Sequence, residues 1–128
     1  MIQVKRVYER PSEPDGLRIL VDRLWPRGVS KKEAHIDRWA RELAPSDKLR
    51  VWFGHDPSRF PEFRERYRTE LRGHREELTA LALESLHDPV TLVFAAKDIQ
   101  HCNATVLKEH LEEILRSRLS RAEPRKLR

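Results

Sequence analysis

The segment Val90-Thr91-Leu92-Val93-Phe94-Ala95-Ala96 is the longest nearly unbroken apolar stretch in the chain. Successive side chains of a strand point to opposite faces, so this segment presents apolar groups on both. Such a strand is expected at the centre of a sheet covered on both sides, as in the parallel sheets of α/β proteins. Two further segments offer it neighbours. Ile2–Tyr8 is β-branched and partly alternating, and Leu17–Val21 is more apolar. The expected fold is therefore α/β, a small, mostly parallel sheet of about three strands with helices packed on its faces.

The helices are legible from caps and periodicity. Ser30-Lys31-Lys32-Glu33 has capping-box spacing and predicts a short helix. Ser46 can cap a helix over Asp47–Phe53, with Gly54 as its stop. Phe60, Phe63, Tyr67, Leu71, His74, Leu78, Leu81 and Leu86 recur mostly at three- and four-residue steps, predicting one long helix or two joined at Gly73. Val106, Leu107, His110, Leu111, Ile114 and Leu115 predict a last helix starting near Cys102 or Asn103. About eight residues, including Pro11 and the Pro14-Asp15-Gly16 turn signal, join the first two strands. That is too few for the usual helical crossover of about a dozen. The sequence leaves two arrangements open, an antiparallel hairpin or a parallel pair joined by an unusual loop.

Charge narrows the class. The 26 basic and 21 acidic residues give a net charge of +5. From Arg116 onward six basic residues face only Glu123, so the first 115 residues carry twenty of each sign and balance. Residues 1–115 are expected to form a single α/β domain, with 116–128 a basic, frayed tail. A short basic tail makes at most weak, nonspecific contact with nucleic acid. The aromatics between Trp25 and Tyr67 are interleaved with arginines, which suggests base stacking. However, Phe60, Phe63 and Tyr67 lie on an apolar stripe, which reads as core. No apolar run approaches the ~20 residues of a membrane span, and no basic-then-apolar leader opens the chain. A lone cysteine, Cys102, suits a reducing compartment. A cytoplasmic protein without membrane contact is expected.

Four stretches carry a family likeness: Leu20-Val21-Asp22-Arg23-Leu24-Trp25-Pro26-Arg27-Gly28, Leu43-Ala44-Pro45-Ser46, the segment Arg50 to Tyr67, and Ala95-Ala96-Lys97-Asp98. On these the chain resembles the YeaO-like family, part of domain of unknown function 488, over essentially residues 1–115. The resemblance implies a small bacterial cytoplasmic protein and brings no established activity with it. In close relatives an asparagine is more typical at the position of Cys102. In the broader family the stretch often reads Cys-His-Arg, whereas here it reads Cys102-Asn103-Ala104.

Two polar loops are the candidate site. Asp22 to Gly28 follows the second strand, and ligands of open α/β sheets bind where loops leave the carboxyl ends of strands. Arg23 and Arg27 can clamp an anion and Trp25 can stack a flat group. Alternatively, an Asp22–arginine pair locks the loop and Trp25 fills the edge of the core. Lys97 to Asn103 follows the apolar strand and opens the last helix, whose free amides and dipole favour anions. If the two strands are parallel, both loops meet at one sheet edge, with Arg23, Trp25, Arg27, Lys97 and Asn103 as ligand-binding candidates.

Asp22, Asp98 and His101 are the candidate acid–base groups, and Cys102 is either an activated thiol at a helix start or a buried filler. Asp98, His101, His55 and Asp56 lack compact metal-ligand spacing. No catalytic triad, glycine-rich phosphate loop or metal motif names a reaction or cofactor. The leading expectation is a binder of a small anionic ligand, phosphorylated ones among the candidates, with or without catalysis. The rival is a non-enzymatic nucleic-acid-associated or regulatory protein acting through its basic tail.

Overall fold

The computed structural model describes residues 1–126, with side chains through Arg121. Four strands, β1 (Ile2–Arg6), β2 (Leu17–Leu20), β3 (Arg38–Trp39) and β4 (Val90–Phe94), form one sheet in the order β1-β4-β2-β3. Every pairing is parallel. Val90 lies opposite both Ile2 and Leu17, so β4 sits centrally with its neighbours in matching register. All five of its residues are buried, as the two-faced apolar run predicts.

The fourth strand, β3, is too short for periodicity to reveal. Asp37 and Ala40 extend its pairing with β2 by donating amides to the carbonyls of Arg18 and Leu20, each at 2.9 Å. The open question about β1 and β2 resolves to a parallel arrangement in which β4 is threaded between them.

One face of the sheet carries the main core. Ile2, Ile19, Val21, Val90, Leu92 and Phe94 pack against α2 (Asp47–Phe53), α3 (Phe60–Leu71), α4 (Arg75–Glu84) and α5 (Asn103–Lys126). Phe63, Tyr67, Leu71, Leu78, Leu107 and Leu111 are the largest helical contributors and are almost wholly buried. Burying side chains of this size contributes roughly 1.5–3 kcal/mol each before entropy is counted. Gly73 lies in a 3₁₀ turn, Arg72–His74, that divides the long periodic segment into α3 and α4. Ser46 accepts the Leu49 amide at 3.2 Å, and Gly54 closes α2 at φ 54°.

The opposite face is roofed differently, because the β1–β2 connection is too short for a helix of ordinary length. Its apolar centre is Val7, Ala34 and Val93, flanked by Trp25, Val29, Ile36 and Ala95. The short α1 (Lys31–Ala34), closed by the Ser30/Glu33 capping box, lies here. Buried polar groups fill the remainder. Arg18 donates to the Ala34 carbonyl at 2.9 Å and to the Asp15 carboxylate at 2.6 Å, while Lys5 reaches Asp15 at 3.0 Å. Gly16 is obligatory where this connection enters β2. Its φ is +61°, and a Cβ there would lie 2.2 Å from the Pro89 carbonyl oxygen.

The final helix α5 runs through the basic segment, and Arg116 to Arg121 are exposed on it. No described helix is long and apolar enough to cross a membrane.

Candidate functional site

Because β2 and β4 are parallel neighbours, the loops that follow them leave the same sheet edge. Asp22 ties these loops together. One carboxylate oxygen accepts the Ala95 amide at 2.9 Å and the other accepts the Asn103 side-chain amide at 3.1 Å. Asn103 also donates to the Val21 carbonyl at 3.0 Å, so the first residue of α5 is pinned to the end of β2. Burial pushes the Asp22 carboxyl above its ordinary range, and the Asn103 and Ala95 bonds partly offset that.

The other residues of the first loop divide between structure and surface. Arg23 donates to the Pro45 carbonyl at 2.9 Å and stands 3.9 Å from the Asp47 carboxylate, anchoring the loop to the start of α2. Trp25 donates to the Val29 carbonyl at 2.7 Å and meets Trp39 edge-on, with ring centroids 5.5 Å apart. Arg23 thus engages Pro45 and Asp47 rather than Asp22. Arg27 is exposed.

In the second loop, Lys97 is exposed. Among the described residues, neither Arg27 nor Lys97 has an ion-pair partner. Asp98 caps the turn that follows it, accepting the amides of Gln100 and His101, and meets the His101 ring at 2.8 Å. That bond draws the Asp98 carboxyl below its ordinary range. The His101 ring in turn stands edge-on to Phe60, centroids 5.1 Å apart.

Cys102 is 1% exposed, and its thiol lies 3.4 Å from the Ile99 carbonyl and 3.5 Å from the Thr105 hydroxyl. Burial pushes that thiol up, opposite to what an activated nucleophile needs. Among the described residues no group of three or more His, Cys, Asp or Glu side chains is placed to hold a metal ion.

Two residues at this edge, Arg6 and Tyr8, escape the sequence reading. Arg6, the last residue of β1, donates to the carbonyls of Ala96 at 2.9 Å and Ala95 at 3.0 Å. Its guanidinium stands 5.0 Å from the centroid of the Tyr8 ring. The Tyr8 hydroxyl donates to the Arg27 carbonyl at 3.0 Å, so a third loop joins the other two. The signal was an aromatic and an arginine at a strand end, unusable while the direction of β1 stayed open. His55, at φ 57° after α2, lies close enough to Asp22 to favour its ionised form.

A cleft of about 550 Å³ opens at the other end of the strands, beside Gly16, Leu17, Pro89 and Val90. Asp37, Glu84 and Asp88 also line it, a wall that repels anions, so the unpaired cations at the carboxyl edge are the better guide to an anionic ligand.

A family model described as "Inactive DUF488-N3 subclade" matches residues 1–126. The uncharacterised protein YeaO of Escherichia coli K12 is 42% identical over 113 residues, covering 88% of this chain and 98% of the relative. An uncharacterised protein of Mycobacterium tuberculosis H37Rv is 40% identical over 112 residues, covering 86% of this chain and 92% of the relative. No solved structure matches. With a match over nearly its whole length and relatives of almost the same extent, the chain belongs to the DUF488-N3i family.

Proposed function

We propose that this protein binds a small phosphorylated ligand at the carboxyl edge of its sheet, between Arg27 and Lys97, and does no chemistry on it. The observation that carries this reading is the Asp22 tie, because it fixes side by side two loops that each present an unpaired cation. Cations held without carboxylate partners repel one another and gain from an anion between them. The start of α5 adds its positive dipole end. Against catalysis, both Asp22 oxygens are engaged and Cys102 is buried with a raised thiol. The family description "inactive" agrees with that.

The test is a phosphate and pyrophosphate titration followed by amide chemical shifts. The Arg27, Gly28, Lys97 and Asn103 amides are expected to move together. Arg27→Ala and Lys97→Ala are each expected to weaken binding about tenfold, the worth of one charge-assisted contact. Binding that survives both changes, or shifts confined to the opposite sheet edge, rules the reading out.

The exposed Arg116, Arg118 and Arg121 of α5 support a second, nonspecific contact with polyanions. Salt-sensitive retention on heparin that disappears when residues 116–128 are removed is its expected signature.

A further inference from the structure

We propose that the ligand of this edge is a nucleoside phosphate, with its base stacked on Tyr8 and its phosphate held by Arg27 and Lys97. The inference rests on the anion-binding reading and adds the ring to it. Tyr8 is 49% exposed, yet it is held at both ends of its side chain. Its hydroxyl is anchored on the Arg27 carbonyl at 3.0 Å, and its ring stands beside the Arg6 guanidinium, 5.0 Å from the centroid. Arg6 is itself fixed by the carbonyls of Ala95 and Ala96, the two residues before Lys97. The aromatic is therefore already oriented, with Arg27 on the loop that its hydroxyl touches and Lys97 on the loop that Arg6 holds.

An exposed aromatic ordered in advance offers stacking without the entropic cost of arranging it on binding. Arg6 adds cation–π polarisation of the ring and contributes positive charge near the phosphate. The Glu9 carboxylate, the acidic group beside them, is drawn onto the Arg6 backbone amide at 2.9 Å. A flat heteroaromatic ring joined to a phosphate matches both features at once, whereas inorganic phosphate or a sugar phosphate uses only the cations.

The test compares inorganic phosphate, ribose 5-phosphate, AMP and a 5′-phosphorylated trinucleotide by isothermal titration calorimetry on the full chain. AMP is expected to bind at least about tenfold more tightly than ribose 5-phosphate, a typical stacking contribution. Tyr8→Leu is expected to bring AMP and ribose 5-phosphate to about equal affinity. Tyr8→Phe, which keeps the ring but loses the tether to Arg27, is expected to retain most of the difference. A trinucleotide that binds no more tightly than AMP assigns the site to free nucleotides, and one that binds more tightly assigns it to strand ends. Equal affinities for AMP and ribose 5-phosphate overturn the stacking proposal while leaving the anion site standing. Failure of every phosphate to bind overturns both.

Discussion

The Asn103 side chain donates to the Asp22 carboxylate at 3.1 Å and to the Val21 carbonyl at 3.0 Å, fastening the start of α5 to the end of β2. A half-buried carboxylate is a costly fastener, since its loss of water disfavours its charge. What it gives in return is geometry. Its two oxygens satisfy donors from two different segments, Ala95 and Asn103, and fix how the loops lie.

Removing the Asn103 amide should expose that cost. Asn103→Ala is expected to destabilise the protein by about 1 kcal/mol at pH 7, because it leaves a half-buried acceptor unpaired. The deficit should shrink as pH falls. The folded Asp22 pKa is raised, so its ionisation costs stability as pH rises through that value, and a protonated Asp22 needs the amide less. Urea unfolding at pH 7 and pH 4 checks this. A deficit that does not change with pH would assign the effect to the Val21 carbonyl alone.

The Cys102 thiol should behave as core. With 1% exposure and a pKa pushed up by burial, it is expected to react with a disulfide reagent far more slowly than a free model thiol at neutral pH. Denaturation in urea should restore the free-thiol rate. Fast modification of the native protein would return Cys102 to the list of candidate nucleophiles.

What the sequence made legible follows the range of the interactions. Ser46 and Gly54 bound α2 through contacts within a turn, and the spacing of Phe63, Tyr67 and Leu71 marks a buried stripe on α3, so both helices could be read locally. The shared edge of the Asp22 and Lys97 loops was legible as well, because parallel β2 and β4 require it. The partners of Asp22 were not. Two neighbouring arginines looked like its natural mates, whereas the donors come from Ala95 and Asn103, brought near by the sheet. Tyr8 was hidden because the edge it occupies depends on the direction of β1, which only the insertion of β4 between β1 and β2 decides. Buried Arg18 was hidden for a related reason. Its acceptors, Asp15, Ala34 and His35, converge from a loop and the end of α1.

That Arg18 cluster is expected to set the acid limb of stability. Asp15 sits between Lys5 and Arg18, and bonds from Ser12 and both cations lower its carboxyl from the ordinary 3.8 to about 2 despite burial. A lowered carboxylate stabilises the fold above its unfolded pKa and loses that contribution as pH falls through the folded one. The window is therefore from about pH 4 down to pH 2, and the loss is about 2 kcal/mol. Asp22 acts in the opposite sense, becoming less costly as it protonates, so the wild-type curve alone mixes the two. Comparison with Asp15→Asn separates them. That variant leaves the buried Arg18 without its counter-charge and is expected to lose about 3 kcal/mol at neutral pH. Between pH 4 and pH 2 the difference from wild type should narrow, because the wild-type carboxylate is itself being discharged. A constant difference across that interval would mean that another carboxylate governs acid unfolding.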